Sequence, residues 1–187
     1  MVFKIDEFTE TMRYGGARPH LFQVELSLPI SLNSALGAGA DLPKELTVKA
    51  TATQVPASTV EAIPVFYQGR AVNFSGNRVF APWAIEVIND EDFKVYDSFI
   101  SWLSALNEPT DNNRNSGLTS RPNEYKSRAI ISQYGQDEAL IKAWTVNGIF
   151  PTNVSEIALG WQDVNQIERF QVTFAVDSVD PKTTARF

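Results

Sequence analysis

The segment from Ile167 to Asp177 alternates without a break: Phe170, Val172, Phe174 and Val176 fall on one side, Arg169, Gln171, Thr173 and Asp177 on the other. Successive side chains of a strand point to opposite faces, so this pattern specifies a strand with one apolar and one wet face. A chain that repeats the pattern must pair its strands and cover their apolar sides. It does repeat. Between His20 and Pro29, Phe22, Val24, Leu26 and Leu28 alternate with Gln23, Glu25 and Ser27. Leu46, Val48, Ala50 and Ala52 alternate with Thr47, Lys49, Thr51 and Thr53, which predicts a strand with a threonine-rich outer face. Thr59–Phe66 and Arg70–Phe74 are shorter strand segments flanking Gln68-Gly69, a hairpin turn. Val79–Ile88 continues the pattern, with Pro82 marking a strand start, an edge or a bulge. Arg128–Tyr134 and Leu140–Val146 follow, and Ile167–Val176 closes the series.

The period changes once. Between Asp90 and Asn107, Phe93, Tyr96, Ile100 and Leu103 recur at helical spacing, with Phe99, Trp102 and Leu106 widening the stripe. Asn89 or Asp90 is expected to cap this helix, and Glu91 and Asp92 suit the positive end of its dipole. Two stretches read as long connections: Pro29–Pro43, rich in Ala, Ser, Gly and Leu, and the polar run Glu108–Lys126. The expected fold class is therefore mainly β, an antiparallel barrel or sandwich with one principal α-helix at about 90–107. A chain of 187 residues is most simply one domain, burying roughly two thirds of its unfolded surface. We place its core at 19–177, its long loops at 29–43 and 108–126, and a C-terminal extension at 178–187.

Charge and composition remove whole classes of function. Sixteen Lys and Arg stand against 22 Asp and Glu, a formal net charge of −6. Tight nucleic-acid binding needs a basic footprint to displace counterions, so this balance argues against it, while staying compatible with nearby DNA that slides and does not stick. Without cysteine there are no disulfides, thiolate chemistry or zinc clusters, which fits a reducing cytoplasm. Met1 to Glu7 carries carboxylates where a secretory signal needs an apolar run. No stretch approaches the ~18 uncharged apolar residues of a membrane helix, so a soluble product without a membrane partner is expected.

Motifs for chemistry fail one by one. His20 is the only histidine, which leaves no base for a Ser-His-Asp triad and no multi-histidine metal site; it reads as a surface or strand-entry residue. Gly37 and Gly39 lack the following Gly-Lys-Ser/Thr of a phosphate loop. Asp111, Asn113 and Asn115 have the opening spacing of an EF-hand, but Ser116 stands where glycine is needed and Pro122 where glutamate is needed. Asp90-Glu91-Asp92 reads as a helix start. Glu86 and Glu168 would serve a glycosidase only if the fold set them ~5–10 Å apart across a cleft. Two glycosylation sequons, at Asn73 and Asn153, carry no meaning in a chain that is not secreted. Trp83, Trp102, Trp144 and Trp161 lie in or beside apolar periodic segments, where core packing is the expectation. No catalytic residue, cofactor or metal site is predicted.

Several short pieces, taken in order, resemble the tail tube protein family of contractile-tailed bacteriophages. They are Arg18-Pro19-His20-Leu21-Phe22-Gln23-Val24-Glu25, Arg78-Val79-Phe80 with Trp83, Asn89-Asp90-Glu91, Pro122-Asn123-Glu124-Tyr125-Lys126, and Pro151-Thr152-Asn153-Val154 followed by Glu168-Arg169-Phe170. The similarity runs from about Gly16 to Asp177, and none of these pieces is a catalytic motif. The resemblance implies a tail-tube-like fold and a structural virion protein without enzymatic activity. It implies assembly in the host cytoplasm as stacked hexameric rings, with strands lining a channel for DNA ejection. The implied partners are copies of the chain itself, the tail sheath protein, baseplate and tail terminator proteins, a tape-measure protein, and double-stranded DNA passing without specific binding. A tube-initiating baseplate protein and a tube subunit of a related contractile injection system remain alternatives. A monomeric ligand-binding β-sandwich and a glycosidase-like enzyme are the readings from other classes. For assembly, the expected residues are Leu32, Leu36 and Asp41 in the first long connection, Thr47, Lys49 and Thr51 on the Leu46–Gln54 strand, and Arg70 and Asn73 on the Arg70–Phe74 strand. The channel wall is expected to be acidic or neutral.

Overall fold

The computed structural model describes residues 4–12, 15–29, 42–114 and 121–183. Among them are strands β1 (Phe22–Ser27), β2 (Ala50–Thr53), β3 (Ser58–Tyr67), β4 (Arg70–Phe80), β5 (Trp83–Ile88), β6 (Ser127–Tyr134), β7 (Leu140–Val154), β8 (Arg169–Ala175) and β9 (Ser178–Thr183). The helices are α1 (Ile5–Thr11), α2 (Leu42–Lys49), α3 (Lys94–Leu106) and α4 (Pro122–Tyr125). The main sheet runs β1-β6-β7-β8-β5-β2, with β9 set against β7, and every described pairing is antiparallel. Its order ends at β1 and β2 without returning on itself, so among the described residues it is open rather than a closed barrel.

The 15-residue strand β7 is where the sheet turns. Its first part pairs with β6 and β9, and Phe150–Val154 pairs with β8. Two features divide the halves: Gly148 at φ +66, and a register shift between Pro151 and Asn153. A left-handed residue and an irregular register bend and twist a strand, carrying it from one half-sheet into the other. At Gly148 a Cβ would collide with the Asp177 carboxylate, so the corner between β8 and β9 can close only over glycine.

Inside lie the faces that alternation predicts. Val24 and Leu26 of β1, Ala129 and Ile131 of β6, Trp83, Ile85 and Val87 of β5, and Phe170, Val172 and Phe174 of β8 are all buried. Helix α3 covers them with Val95, Phe99, Trp102 and Ala105. Phe174 is the hub, its ring centroid 5.2 Å from Trp83, 5.9 Å from Phe99 and 6.3 Å from Trp102. The Phe99 and Trp102 contacts are edge-to-face and the Trp83 contact is tilted, and aromatic pairs at these distances add to the area the rings bury.

Two expectations need correcting, one on the principal helix and one on the Leu46–Ala52 strand. Helix α3 begins at Lys94 rather than near Asp90, because Phe93 adopts φ +53 after a turn in which its N–H donates to the Asp90 carbonyl at 2.9 Å. Neither Asn89 nor Asp90 caps it: the buried Asn89 amide donates to Glu168 Oε1 instead, at 2.5 Å. The buried stripe is also rotated, leaving Phe93 and Ile100 exposed. Leu46–Ala52 is not one strand. Leu42–Lys49 is helical and only Ala50–Thr53 is extended. A helix places Leu46 in the core while Val48 faces solvent, and it sets Glu45 and Lys49 at i, i+4, where they pair at 3.2 Å. Ser178–Thr183, within the expected C-terminal extension, forms strand β9, paired along β7.

Candidate functional site

Strands β3 and β4 form a two-stranded ribbon of their own, apart from the main sheet. The Gln68-Gly69 turn expected from sequence joins them, with φ +46 and +80, the positive pair required by the tightest hairpins. At the other end the ribbon is rooted where Ala81 N–H donates to Ala57 carbonyl at 2.9 Å, between Pro56 and Pro82. Just beyond, Trp83 Nε1 donates to Thr53 Oγ1 at 2.9 Å and fixes the root to the core. Pro82 accordingly stands immediately before β5, as a strand-start residue.

Directly paired residues share a face, so the register assigns the surfaces. One face carries Ile63 opposite Phe74, Val65 opposite Val72, and Tyr67 opposite Arg70 at the tip. The other carries Phe66 opposite Ala71, Pro64 opposite Asn73, and Val60 opposite Arg78. Between Val60 and Ala62 the register shifts, so that Gly76 and Asn77 oppose Glu61 alone. A Cβ at Gly76 would stand 2.8 Å from the Glu61 carbonyl oxygen, which keeps this bulge for glycine. Val60, Ile63, Val65, Phe66, Tyr67, Val72, Phe74 and Val79 are 46–74% exposed. An isolated two-stranded ribbon is marginal in water, and a patch of this kind marks an interaction surface. Its outer edges also offer unpaired backbone groups among the described residues. Sequence reasoning reached this ribbon only through Arg70 and Asn73 and missed its apolar side chains, because alternating Val, Ile and Phe read the same in a core strand and in an exposed one.

Two further apolar surfaces lie open. Helix α1 exposes Ile5 and Phe8. The β7–β8 connection exposes Leu159, Trp161, Val164 and Ile167. Trp161 therefore departs from the expected core role of the tryptophans. Trp83 and Trp102 are buried, Trp144 packs partly against the core, and Trp161 is 105% exposed.

The expected assembly residues scatter. Leu32, Leu36 and Asp41 lie outside the described residues. Thr47 and Lys49 belong to α2 rather than to a strand. Thr51 lies on β2 and donates to the Glu86 carbonyl at 3.3 Å. Arg70 and Asn73 both sit on the ribbon. Lys49 bridges Glu45 Oε2 at 3.2 Å and Asp90 Oδ2 at 3.1 Å within its own subunit. Burial, the largest single influence on it, works to lower its pKa. The hydrogen bonds and charges of Asp90 and Glu45 together outweigh burial and hold the ammonium above the usual lysine value.

The other acidic candidates are engaged structurally. Asp92 pairs with Lys94 at 2.7 Å and accepts the Lys94 N–H, which lowers its pKa. Glu86 pairs with Arg169 at 3.2 Å. Among the described residues no cluster of three His, Cys, Asp or Glu could hold a metal ion. His20 is exposed just ahead of β1. Motifs singled out from sequence prove to be joints. In α4, Glu124 accepts the Arg121 N–H at 3.0 Å and the Tyr125 carbonyl accepts the Trp102 indole N–H at 3.2 Å, and just past the helix Lys126 pairs with Asp177 at 2.6 Å.

A profile of the family described as "Phage tail tube protein" matches residues 17–178. The chain is 36% identical over 179 residues to tail tube protein gp19 of Enterobacteria phage T4, covering 92% of this chain and 97% of that protein. It is 27% identical to the tail tube protein of Serratia phage KSP90, covering 89% and 90%. In fold it is similar to a chain of the anti-feeding prophage tube-terminating cap, with a TM-score of 0.62 and 16% identity over 90% of this chain and 92% of that one. A chain in the extended sheath–tube complex of the PVC extracellular contractile injection system gives a TM-score of 0.60 at 12% identity, covering 94% and 97%.

Proposed function

The chain belongs to the phage tail tube protein family, and from that premise we propose that it assembles into stacked hexameric rings forming the inner tube of a contractile tail. The observation that carries this reading is the β3–β4 ribbon, which exposes large apolar side chains on both faces and, among the described residues, pairs with no other strand. Arg70 and Asn73, on that ribbon, fall within the proposed subunit contacts. Leu32, Leu36 and Asp41 of the Pro29–Pro43 connection are proposed as a further contact. The relatives at 36% and 27% identity bear the name tail tube protein, which favours a main tube subunit over a baseplate initiator. Sheath, baseplate, terminator and tape-measure proteins are the proposed partners, with assembly in the host cytoplasm and residence in the virion tail.

DNA passes through the proposed tube at ejection. With α3 on the core side of β5 and β8, the opposite face of the sheet becomes the channel wall. That face presents Glu25, Glu86 and Asp180 together with Arg128, Arg169 and Lys182. Such a wall is close to charge-balanced, and Glu86 already neutralises Arg169. It offers phosphates no continuous basic track along which counterion release would arrest the duplex. Native mass measurement and negative-stain microscopy of the purified protein test the proposal. Six-fold rings or tubes, in multiples of 20.8 kDa, are expected. Monomer at every concentration, with no tubes, refutes it.

A further inference from the structure

The β7–β8 connection is not an ordinary polar loop. Over residues 155–168 it carries Leu159, Trp161, Val164 and Ile167, exposed by 84%, 105%, 75% and 67%. A side chain as large as tryptophan gains from burial, and an aromatic anchor of this kind is the commonest centre of a protein interface. The loop is also held in shape. At one end Ser155 N–H donates to the Gln171 carbonyl at 2.8 Å, and Gln171 N–H donates back to Ser155 Oγ at 2.9 Å. Near the other end Asn89 N–H donates to the Glu168 carbonyl at 2.9 Å. Across the middle, Asp163 N–H donates to the Gly160 carbonyl at 3.2 Å and Val164 N–H to the Gln162 carbonyl at 2.9 Å, and a Cβ at Gly160 would collide with the Asp163 carboxylate. A preformed loop gives up less conformational freedom when it docks.

Strand β5 relates this loop to the ribbon. The ribbon is rooted beside Trp83, at the start of β5, and the loop is tied to Asn89, just past its end. A six-residue strand spans about 20 Å, so the two exposed apolar surfaces leave the body from opposite ends of one strand. Their charges are complementary. The loop contains Glu156, Asp163 and Glu168 and no Lys or Arg, whereas the ribbon contains Arg70, Arg78 and a single carboxylate, Glu61. Among the described residues neither Arg70 nor Arg78 has a carboxylate within 4.0 Å. Surfaces that match each other but lie at opposite ends of a molecule make a head-to-tail contact, which propagates into rings or filaments.

We propose that the Leu159–Ile167 loop of one subunit docks on the β3–β4 ribbon of a second copy, with Trp161 as the anchor and Asp163 facing the ribbon's arginines. The proposal rests on the tube-forming reading and specifies which two surfaces meet. The absence of cysteine from the chain makes the contact directly readable. Trp161→Cys combined with a second cysteine placed in turn at Ile63, Val65, Tyr67, Val72 or Phe74 is assembled and then oxidised. A ladder of covalent multimers is expected for at least one pairing, and not for either single variant of that pairing. Trp161→Ala is expected to keep the monomer's far-ultraviolet circular dichroism and melting temperature while raising the concentration needed for assembly ~30-fold, as for loss of a buried aromatic anchor. Tubes that form with wild-type efficiency from Trp161→Ala, or that form from every cysteine pair without cross-linking, overturn the docking proposal and leave the tube reading intact. A wild-type protein that forms no assembly overturns both.

Discussion

Two phenylalanines 100 residues apart, Phe74 and Phe174, separate assembly from folding. Phe74 lies on the ribbon, paired with Ile63 and 56% exposed. A phenylalanine presents on the order of 200 Å² when free, so ~110 Å² of Phe74 remains in water. At ~25 cal/mol per Å², covering that area against a neighbouring subunit is worth ~2–3 kcal/mol. Phe74→Ser should therefore weaken assembly by ~30–150-fold. The monomer should hardly notice, because the ribbon is a separate two-stranded sheet that can open locally without exposing the core. Phe174 is completely buried, with Trp83, Phe99 and Trp102 packed around it. Phe174→Ser leaves a cavity and buries a hydroxyl, costing ~3–5 kcal/mol or more. In a chain of this size that lowers the melting temperature by roughly 10 °C. Light scattering against concentration reads the first quantity, and thermal circular dichroism at low concentration reads the second. The reasoning fails if Phe74→Ser assembles like wild type, or if it melts as early as Phe174→Ser.

Gly148→Ala should lower stability by ~1–3 kcal/mol in urea titrations, through both its left-handed φ and the collision with Asp177; equal midpoints would refute the strained corner. The Lys49 bridge should make stability fall at alkaline pH. Its folded-state pKa is raised above 10.5, so its contribution is present in full below that pH and is lost as pH rises through the folded value. Lys49→Met should therefore flatten the loss of melting temperature above pH 10.5, and an unchanged slope counts against the bridge. Deleting Leu32–Ala40 should leave a folded domain that polymerises poorly, and normal tube growth would remove that connection from the interface.

Where one side of an element is buried and the other wet, the chain announces its own structure. β1 and β8 were legible because Val24 and Leu26, and Phe170, Val172 and Phe174, can satisfy their hydrophobicity only on a single strand face. Gln68-Gly69 was legible because few residue pairs accept two positive φ values in succession. The Leu46–Ala52 stretch was not, since Leu46 meets both a two-residue and a helical period. Tertiary contacts decided it, with Leu46 buried in the core and Asp90, far along the chain, placed to hold Lys49. The start and buried face of α3 were not legible either: Phe93 turns left-handed before it, and Val95, Phe99, Trp102 and Ala105 are the apolar residues it buries. The proposed assembly surface was the least legible of all. Hydrophobic pattern records that Phe74 and Trp161 gain by leaving water, but not whether the fold of their own chain covers them, and that fold leaves both exposed. That depends on which strands the main sheet captures, and β3 and β4 are left outside it.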